Sequence, residues 1–166
     1  MYYSTNYSSP IGELIIVSDG NAITGVCFYS QKHFNSEVTG EIAENNDIDV
    51  LKKAIRWFDD YFAGLNPDID FELKPHGTEF RQKVWSILRD IPYGKTVTYG
   101  EIASEISPSM SAQAVGGAVG ANPIAILIPC HRVIGVNGKL TGYAAGIDRK
   151  IELLKLENSI DGDFSG

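Results

Sequence analysis

Cys130 lies in the run Ile128-Pro129-Cys130-His131-Arg132-Val133. A lone cysteine is more often a small buried hydrophobe than a nucleophile. Here its neighbours raise the second reading. Pro129 fixes its own φ and removes a backbone donor. His131 and Arg132 follow at once and bring positive potential, which favours thiolate over thiol. A sequence-adjacent histidine rarely reaches the neighbouring thiol directly, but one ordered water bridges that gap if the chain turns sharply. An inert buried thiol and a reactive nucleophile both remain open on these residues alone. Cys27, between Val26 and Phe28 in an apolar run, reads as core.

The elements that would position Cys130 fall into two parts. Residues 12–29 hold two β-branched runs around Asp19-Gly20-Asn21, a hairpin signal. A shorter strand near Met1–Tyr7 pairs through the Ser9-Pro10-Ile11-Gly12 turn. Residues 30–47 read as a polar loop. An amphipathic helix follows over 48–64, with Val50, Leu51, Ile55, Phe58 and Phe62 on one side. Ile69–Leu73 alternates like a strand.

From Thr78 onward the pattern turns helical. Thr78 caps a helix whose inner face holds Phe80, Val84, Trp85 and Leu88. Thr98 caps Tyr99–Ile106 with Glu101 at the reciprocal capping-box position. Ser111 caps Ala112–Gly120 after the Ser107-Pro108-Ser109 turn. Two short helices joined by a tight turn suggest a helix-turn-helix. An extended apolar run, Ile124–Pro129, leads to Cys130, and a helix over Ile147–Glu157 closes the fold. The Ala112–Gly120 helix has almost no long side chains. Gly116 and Gly117 cost it roughly 1 kcal/mol each relative to Ala. Either close packing on a neighbour or close approach of something external explains them.

The 166 residues are 43% hydrophobic and 21% charged, enough to bury a core and too apolar for a disordered chain. No run approaches the roughly 20 apolar residues of a membrane helix, and Met1-Tyr2-Tyr3-Ser4-Thr5 has no signal-peptide character. Two cysteines cannot make a disulfide framework, and Cys27 with His33 are too few early ligands for a zinc site. No metal or cofactor is therefore expected, and a reducing cytoplasm is the expected setting. The net charge of −7 is uneven: residues 1–73 carry four basic against twelve acidic groups, and residues 74–157 carry ten against seven. The basic half could face phosphates.

PCHRV, preceded by Asn122-Pro123 and followed by Tyr143-Ala144-Ala145-Gly146, resembles the active site of the O6-alkylguanine-DNA alkyltransferases, the methylated-DNA–protein-cysteine methyltransferases. The resemblance runs from about Gly77 to Glu157. It takes in GTEFRQKVW, IPYGKTVTYGEIA, AVGGAVGANPIAILIPCHRVIG and the closing helix. The N-terminal half matches only in layout. The resemblance implies an α+β fold: a ribonuclease-H-like small sheet with a helix over 1–75 and a mostly helical DNA-binding catalytic domain with a helix-turn-helix over 76–157; the remaining residues 158–166, net −2, read as an acidic flexible tail.

It also implies roles. Cys130 would accept the alkyl group, His131 would act through a water as its base, and Glu157 would hold the His131 tautomer. Asn122 would brace the active-site turn, and Tyr99 would donate a proton to guanine N3 and help rotate the phosphate. Pro129, Val133, Tyr143, Ala144 and Ala145 would line the guanine pocket, with backbone groups near Cys130 and Val133 reading the base. Arg132 would be structural. Tyr99, Gly100, Ala112, Gln113, Ala114, Gly116 and Val136 would contact DNA. The partner would be double-stranded DNA bound through its minor groove with the alkylated guanine flipped out, chiefly O6-methylguanine and also O4-alkylthymine; the protein would be a monomer with no membrane association. One departure stands out: most members carry Arg where this chain has Gln113. A non-catalytic helix-turn-helix damage sensor or regulator is the alternative, and a cysteine hydrolase a third reading.

Overall fold

The computed structural model describes residues 1–29, 42–140 and 142–158. Most of the loop expected over 30–47, and the expected tail beyond Asn158, lie outside them. Two compact units emerge. The first comprises Met1–His76 with Pro123–Leu127, the second Gly77–Asn122 with Ile128–Gly166. The contiguous split at residue 76 did not assign Pro123–Leu127 to the first unit.

In the first unit, β1 (Tyr2–Ser9) and β2 (Gly12–Ser18) pair antiparallel, from Tyr3 opposite Ser18 to Ser9 opposite Gly12. β3 (Ile23–Phe28) returns antiparallel to β2. In the turn between them the Asp19 carboxylate accepts the Asn21 and Ala22 N–H groups, both at 2.9 Å, and Gly20 takes φ 103°. The sheet order is β3-β2-β1-β4. β4 (Ile42–Glu44), parallel to β1, falls in the stretch read as loop; three residues are too few to show a period. The strand expected over Ile69–Leu73 is not formed. Only Leu73 bridges Ile23, and Pro67 and Pro75 bracket the segment, each without an N–H to donate.

α1 (Asp49–Phe62) buries Val50, Leu51, Ala54, Trp57, Phe58 and Tyr61; Ile55 and Phe62, expected on the inner face, are half-buried. Leu14, Ile16, Phe28, Leu51 and Phe58 are fully buried in this core. Each contributes about 1.5–3 kcal/mol on that burial. Cys27 alternates with the buried Val26 and Phe28 and is only half-buried, so it is not the core residue expected. Ile124–Pro129 is not extended throughout. Val26 N–H donates to the Pro123 carbonyl at 2.9 Å and Ala125 N–H to the Val26 carbonyl at 3.0 Å. The chain then reverses at Ile126 (φ 71°), where Leu127 N–H reaches the Ala125 carbonyl at 2.8 Å, closing a three-residue turn.

The second unit begins at Gly77, where a Cβ would overlap the Trp85 ring. α2 (Glu79–Arg89) is capped by Thr78, which accepts the Arg81 N–H at 3.2 Å; it buries Val84, Trp85 and Leu88, with Phe80 half-buried. Trp85 Nε1 donates to the Ala118 carbonyl at 2.8 Å, fixing α2 on α4 (Ala112–Gly120). α3 (Tyr99–Ile106) starts from β5 (Val97–Thr98) with both capping-box bonds in place, and Ser111 caps α4 by accepting the Ala114 N–H at 3.0 Å. β6 (Val133–Ile134) pairs parallel with β5, and α5 (Ile147–Leu156) ends with Glu157 as its C-cap.

Candidate active site

Local hydrogen bonds aim Cys130. Pro129 has φ −81° and ψ 67°, and Cys130 N–H donates to the Ile128 carbonyl at 2.8 Å. That is an inverse γ-turn centred on a residue whose ring already holds φ. The same carbonyl accepts Asn122 Nδ2 at 2.8 Å. A 3-10 turn over Cys130–Arg132 follows, closed by Arg132 N–H to the Pro129 carbonyl at 3.0 Å and by Val133 N–H to the Cys130 carbonyl. Three tight turns in succession thus carry the thiol, the imidazole and the guanidinium on consecutive residues.

His131 and Glu157 are fully buried together, with Nε2 and Oε2 2.7 Å apart. A carboxylate only accepts, so Nε2 carries the proton and Nδ1 is left with its lone pair. Nδ1 is buried without a hydrogen-bond partner among the described residues. Arg132 completes the arrangement: Nε donates to Glu157 Oε1 at 2.7 Å, Nη2 to Oε2 at 3.1 Å and Nη1 to the Ile91 carbonyl at 2.7 Å. Its guanidinium lies 5.7 Å from the Tyr93 ring centroid, and Tyr93 Oη donates to the Leu156 carbonyl at 3.3 Å. Gly94 (φ 81°) lets the chain pass close to the Glu157 carbonyl.

Burial opposes charge on Glu157, but the hydrogen bonds from His131 and Arg132 and the Arg132 charge outweigh it and hold its carboxyl at about 2. Burial, reinforced by the Arg132 and Lys150 charges, lowers His131 despite Glu157, so the resting pair is neutral imidazole and carboxylate. Cys130, 8% exposed, is raised by burial; the Asn122 side-chain hydrogen bond and the Lys150 charge act the other way. This corrects the expectation that His131 and Arg132 supply the potential favouring the thiolate: His131 rests neutral, the Arg132 guanidinium is paired with Glu157, and the cation that lowers Cys130 is Lys150. Cys27 is pushed up to about 12 by burial alone and makes a poor nucleophile.

Asn122, Cys130, His131, Arg132 and Glu157 therefore meet around one turn. Val133 is fully buried, Pro129 buried, Tyr143 and Ala145 half-buried and Ala144 exposed. The Tyr143 phenol oxygen is buried without a partner among the described residues, and burial and Cys130 raise its pKa. The Val133 carbonyl, among the backbone groups near the base-reading positions, accepts Lys150 Nζ at 2.6 Å and keeps one lone pair. Ala112, Gln113 and Ala114 stand exposed on the first turn of α4, and Val136 is 73% exposed. A Cβ at Gly116 would meet the Tyr99 ring at 3.8 Å, an ordinary contact, whereas one at Gly117 or Gly120 would meet nothing within 4 Å. Tyr99 and Gly100 open α3, both half-buried.

The sequence reading passed over Lys150, Tyr93 and the Ile91 carbonyl. For Lys150 a signal existed: Ile147, Lys150, Leu153 and Leu154 share one helical stripe, and a lysine on an apolar stripe asks for a partner. Among the described residues no three His, Cys, Asp or Glu side chains gather to hold a metal ion, and no helix is long and apolar enough to cross a membrane.

Residues 79–159 match the family described as 6-O-methylguanine DNA methyltransferase, DNA binding domain, and residues 1–75 the ribonuclease-like domain of the same family. A methylated-DNA–protein-cysteine methyltransferase of Methanosarcina acetivorans is 48% identical over 159 residues, covering 96% of this chain and 99% of the relative. One of Mycobacterium leprae is 44% identical over 157 residues, covering 95% and 93%. Among solved structures, OGT of Mycobacterium tuberculosis in complex with DNA superposes with a TM-score of 0.83 at 44% identity, covering 95% of this chain and 92% of that one. An O6-methylguanine DNA methyltransferase of Methanococcus jannaschii gives 0.68 at 31% identity, covering 97% of each.

Proposed function

The chain belongs to the 6-O-methylguanine DNA methyltransferase family, and from that premise we propose that it repairs O6-alkylguanine in duplex DNA by moving the alkyl group irreversibly to its own Cys130. The observation that carries the reading is the buried His131–Glu157 pair beside Cys130, with Nδ1 buried and holding its lone pair.

His131 Nδ1 takes the Cys130 proton through a bridging water, and Glu157 stabilises the imidazolium that forms. The thiolate attacks the alkyl carbon in line. A C–S bond forms, the C–O6 bond breaks, and guanine leaves with the electron pair on O6. Tyr99 donates its phenolic proton to N3 as the base departs. Asn122 holds the turn, Arg132 holds Glu157, and Pro129, Val133, Tyr143, Ala144 and Ala145 enclose the guanine. The product is a thioether, which water does not reverse, so each molecule acts once. Flipping costs a few kcal/mol.

Duplex binding uses Tyr99, Gly100, Ala112, Gln113, Ala114, Gly116 and Val136, chiefly on phosphates and in the minor groove. The open space at Gly117 supports this reading, since internal packing does not require a glycine there. Residues 1–75 form the ribonuclease-like part and 76–157 the catalytic part. The protein works in the cytoplasm, where the free Cys130 thiol stays reduced.

Intact-mass analysis after incubation with an O6-methylguanine duplex tests the proposal. Wild-type protein gains one methyl, mapped by digestion to Cys130; Cys130→Ala gains none and still binds the duplex. Methylation of Cys130→Ala would make another residue the acceptor, and an unmodified wild-type chain bound to the lesion would favour the sensor.

A further inference from the structure

Lys150 has no part in the steps above, yet it is fully buried on α5. An ammonium taken out of water is strongly unfavourable unless its donors are satisfied. Leu or Met would fill the space without that cost. Nζ instead donates to the Val133 carbonyl at 2.6 Å and, at a longer 3.4 Å, to the Gly142 carbonyl. Val133 opens β6, held in register by Val97 on β5. Gly142 precedes Tyr143, Ala144 and Ala145. One ammonium therefore joins the two backbone segments that enclose the guanine in the reading above.

We propose that Lys150 is a positioning residue for alkyl transfer: it clamps the Val133 and Gly142 carbonyls at a fixed separation and presents the positive charge against which the Cys130 thiolate forms. The inference rests on the proposed function for its substrate, but not for its effect on the thiol.

Among the described residues, the charged and titratable groups around the site are Cys130 and His131 on the 3-10 turn, Tyr143 on the following loop, and Arg149 and Glu157 from α5 and its end. Cys130 and Lys150 act on each other directly, Lys150 also lowers His131, and Cys130, Arg149 and Glu157 act on Tyr143. Burial lowers Lys150 to about 8 and the Cys130 charge opposes that shift, so the amine is still mostly protonated at neutral pH. Neither Arg132 nor His131 serves in its place, since Arg132 is engaged by Glu157 and His131 rests neutral.

The test uses the full chain and two readouts. The first is the pH profile of Cys130 alkylation by iodoacetamide, which needs neither DNA nor a flipped base. The second is methyl transfer from a duplex and from the free O6-methylguanine base. Lys150→Met raises the half-point of the iodoacetamide profile by about one pH unit, the size of effect expected on losing a nearby opposite charge. It slows methyl transfer to both substrates at least tenfold and leaves duplex affinity within threefold. Lys150→Arg keeps the charge and returns the half-point toward wild type. An unmoved half-point in folded Lys150→Met overturns the proposal. A shifted half-point in a protein that never transfers methyl overturns the proposed function and leaves the role toward sulfur standing. If Lys150→Met does not fold, NMR titration of the lysine ammonium groups decides: Cys130→Ser removes the thiolate and lowers the Lys150 midpoint, and an unchanged midpoint overturns the proposal.

Discussion

Glu157→Gln isolates the charge at the centre of the site while keeping its shape. The Glu157 carboxylate accepts hydrogen bonds from His131 Nε2 at 2.7 Å, Arg132 Nε at 2.7 Å and Arg132 Nη2 at 3.1 Å. An amide has one acceptor end. If its oxygen faces Arg132, its NH2 meets the His131 Nε2 proton, and the imidazole must move that proton to Nδ1. The base that serves Cys130 is then blocked. If the amide is reversed, its NH2 meets the Arg132 Nε–H, and a guanidinium is left without its counter-charge. Breaking a buried pair in this way costs about 3–5 kcal/mol, which is a drop of roughly 6–20 °C in Tm for a chain of this size. Alkylation falls further than stability alone accounts for, by about 10²–10⁴-fold, the usual worth of a positioned general base. The assay is single-turnover methyl transfer from an O6-methylguanine duplex at 15 °C, where the variant stays folded, beside duplex affinity measured at the same temperature. Affinity stays within threefold. If rate and affinity fell by the same factor, Glu157 would serve only to hold up the fold; an unchanged rate would remove His131 from the proton path.

Three further expectations follow. Gln113→Arg, exposed on the first turn of α4, gains a base or phosphate contact of about 1–3 kcal/mol; it tightens duplex binding and speeds duplex repair while leaving repair of the free base unchanged, and an equal gain on the free base would show that position 113 does not enter the duplex. Gly117→Ala meets nothing within 4 Å, so it stabilises the folded chain by up to about 1 kcal/mol through helix propensity, yet weakens duplex binding; tighter or unchanged binding would mean that nothing approaches that face. Stability is acid-sensitive in a defined window: His131 is lowered from 6.5 and Glu157 from 4.5 to about 2, so both contribute stability that is complete above pH 6.5 and lost as pH falls, first through His131 and then below 4.5 through Glu157. Calorimetric scans between pH 7 and about 3 should show Tm falling steadily, and Glu157→Gln should flatten the part of that slope below pH 4.5.

Short-range chemistry was legible along the chain because its causes are short-range. Thr78, Thr98 with Glu101, and Ser111 start their helices in the structure through bonds spanning three residues, and the Asp19-Gly20 turn needs only its own side chain and a φ that glycine permits. The cysteine motif was legible for the same reason, being six consecutive residues. What failed were elements whose partners are distant. β4 exists because β1 offers it an edge, Ile69–Leu73 lacks one beyond a single bridge, and Ile124–Leu127 is bent by two bonds to Val26 and a reversal at Ile126. The electrostatics of the thiol were misread along the chain for a related reason. Charges adjacent in sequence looked dominant, but the 3-10 turn sends His131 and Arg132 toward Glu157, and α5 brings Lys150 from twenty residues downstream. A charge acts through distance and desolvation, and neither is set until the helices have packed. The sequence alone determined which atoms this protein can use for chemistry; the tertiary structure decided which cation serves the sulfur, which nitrogen of His131 keeps its lone pair, and which carbonyls are held in place.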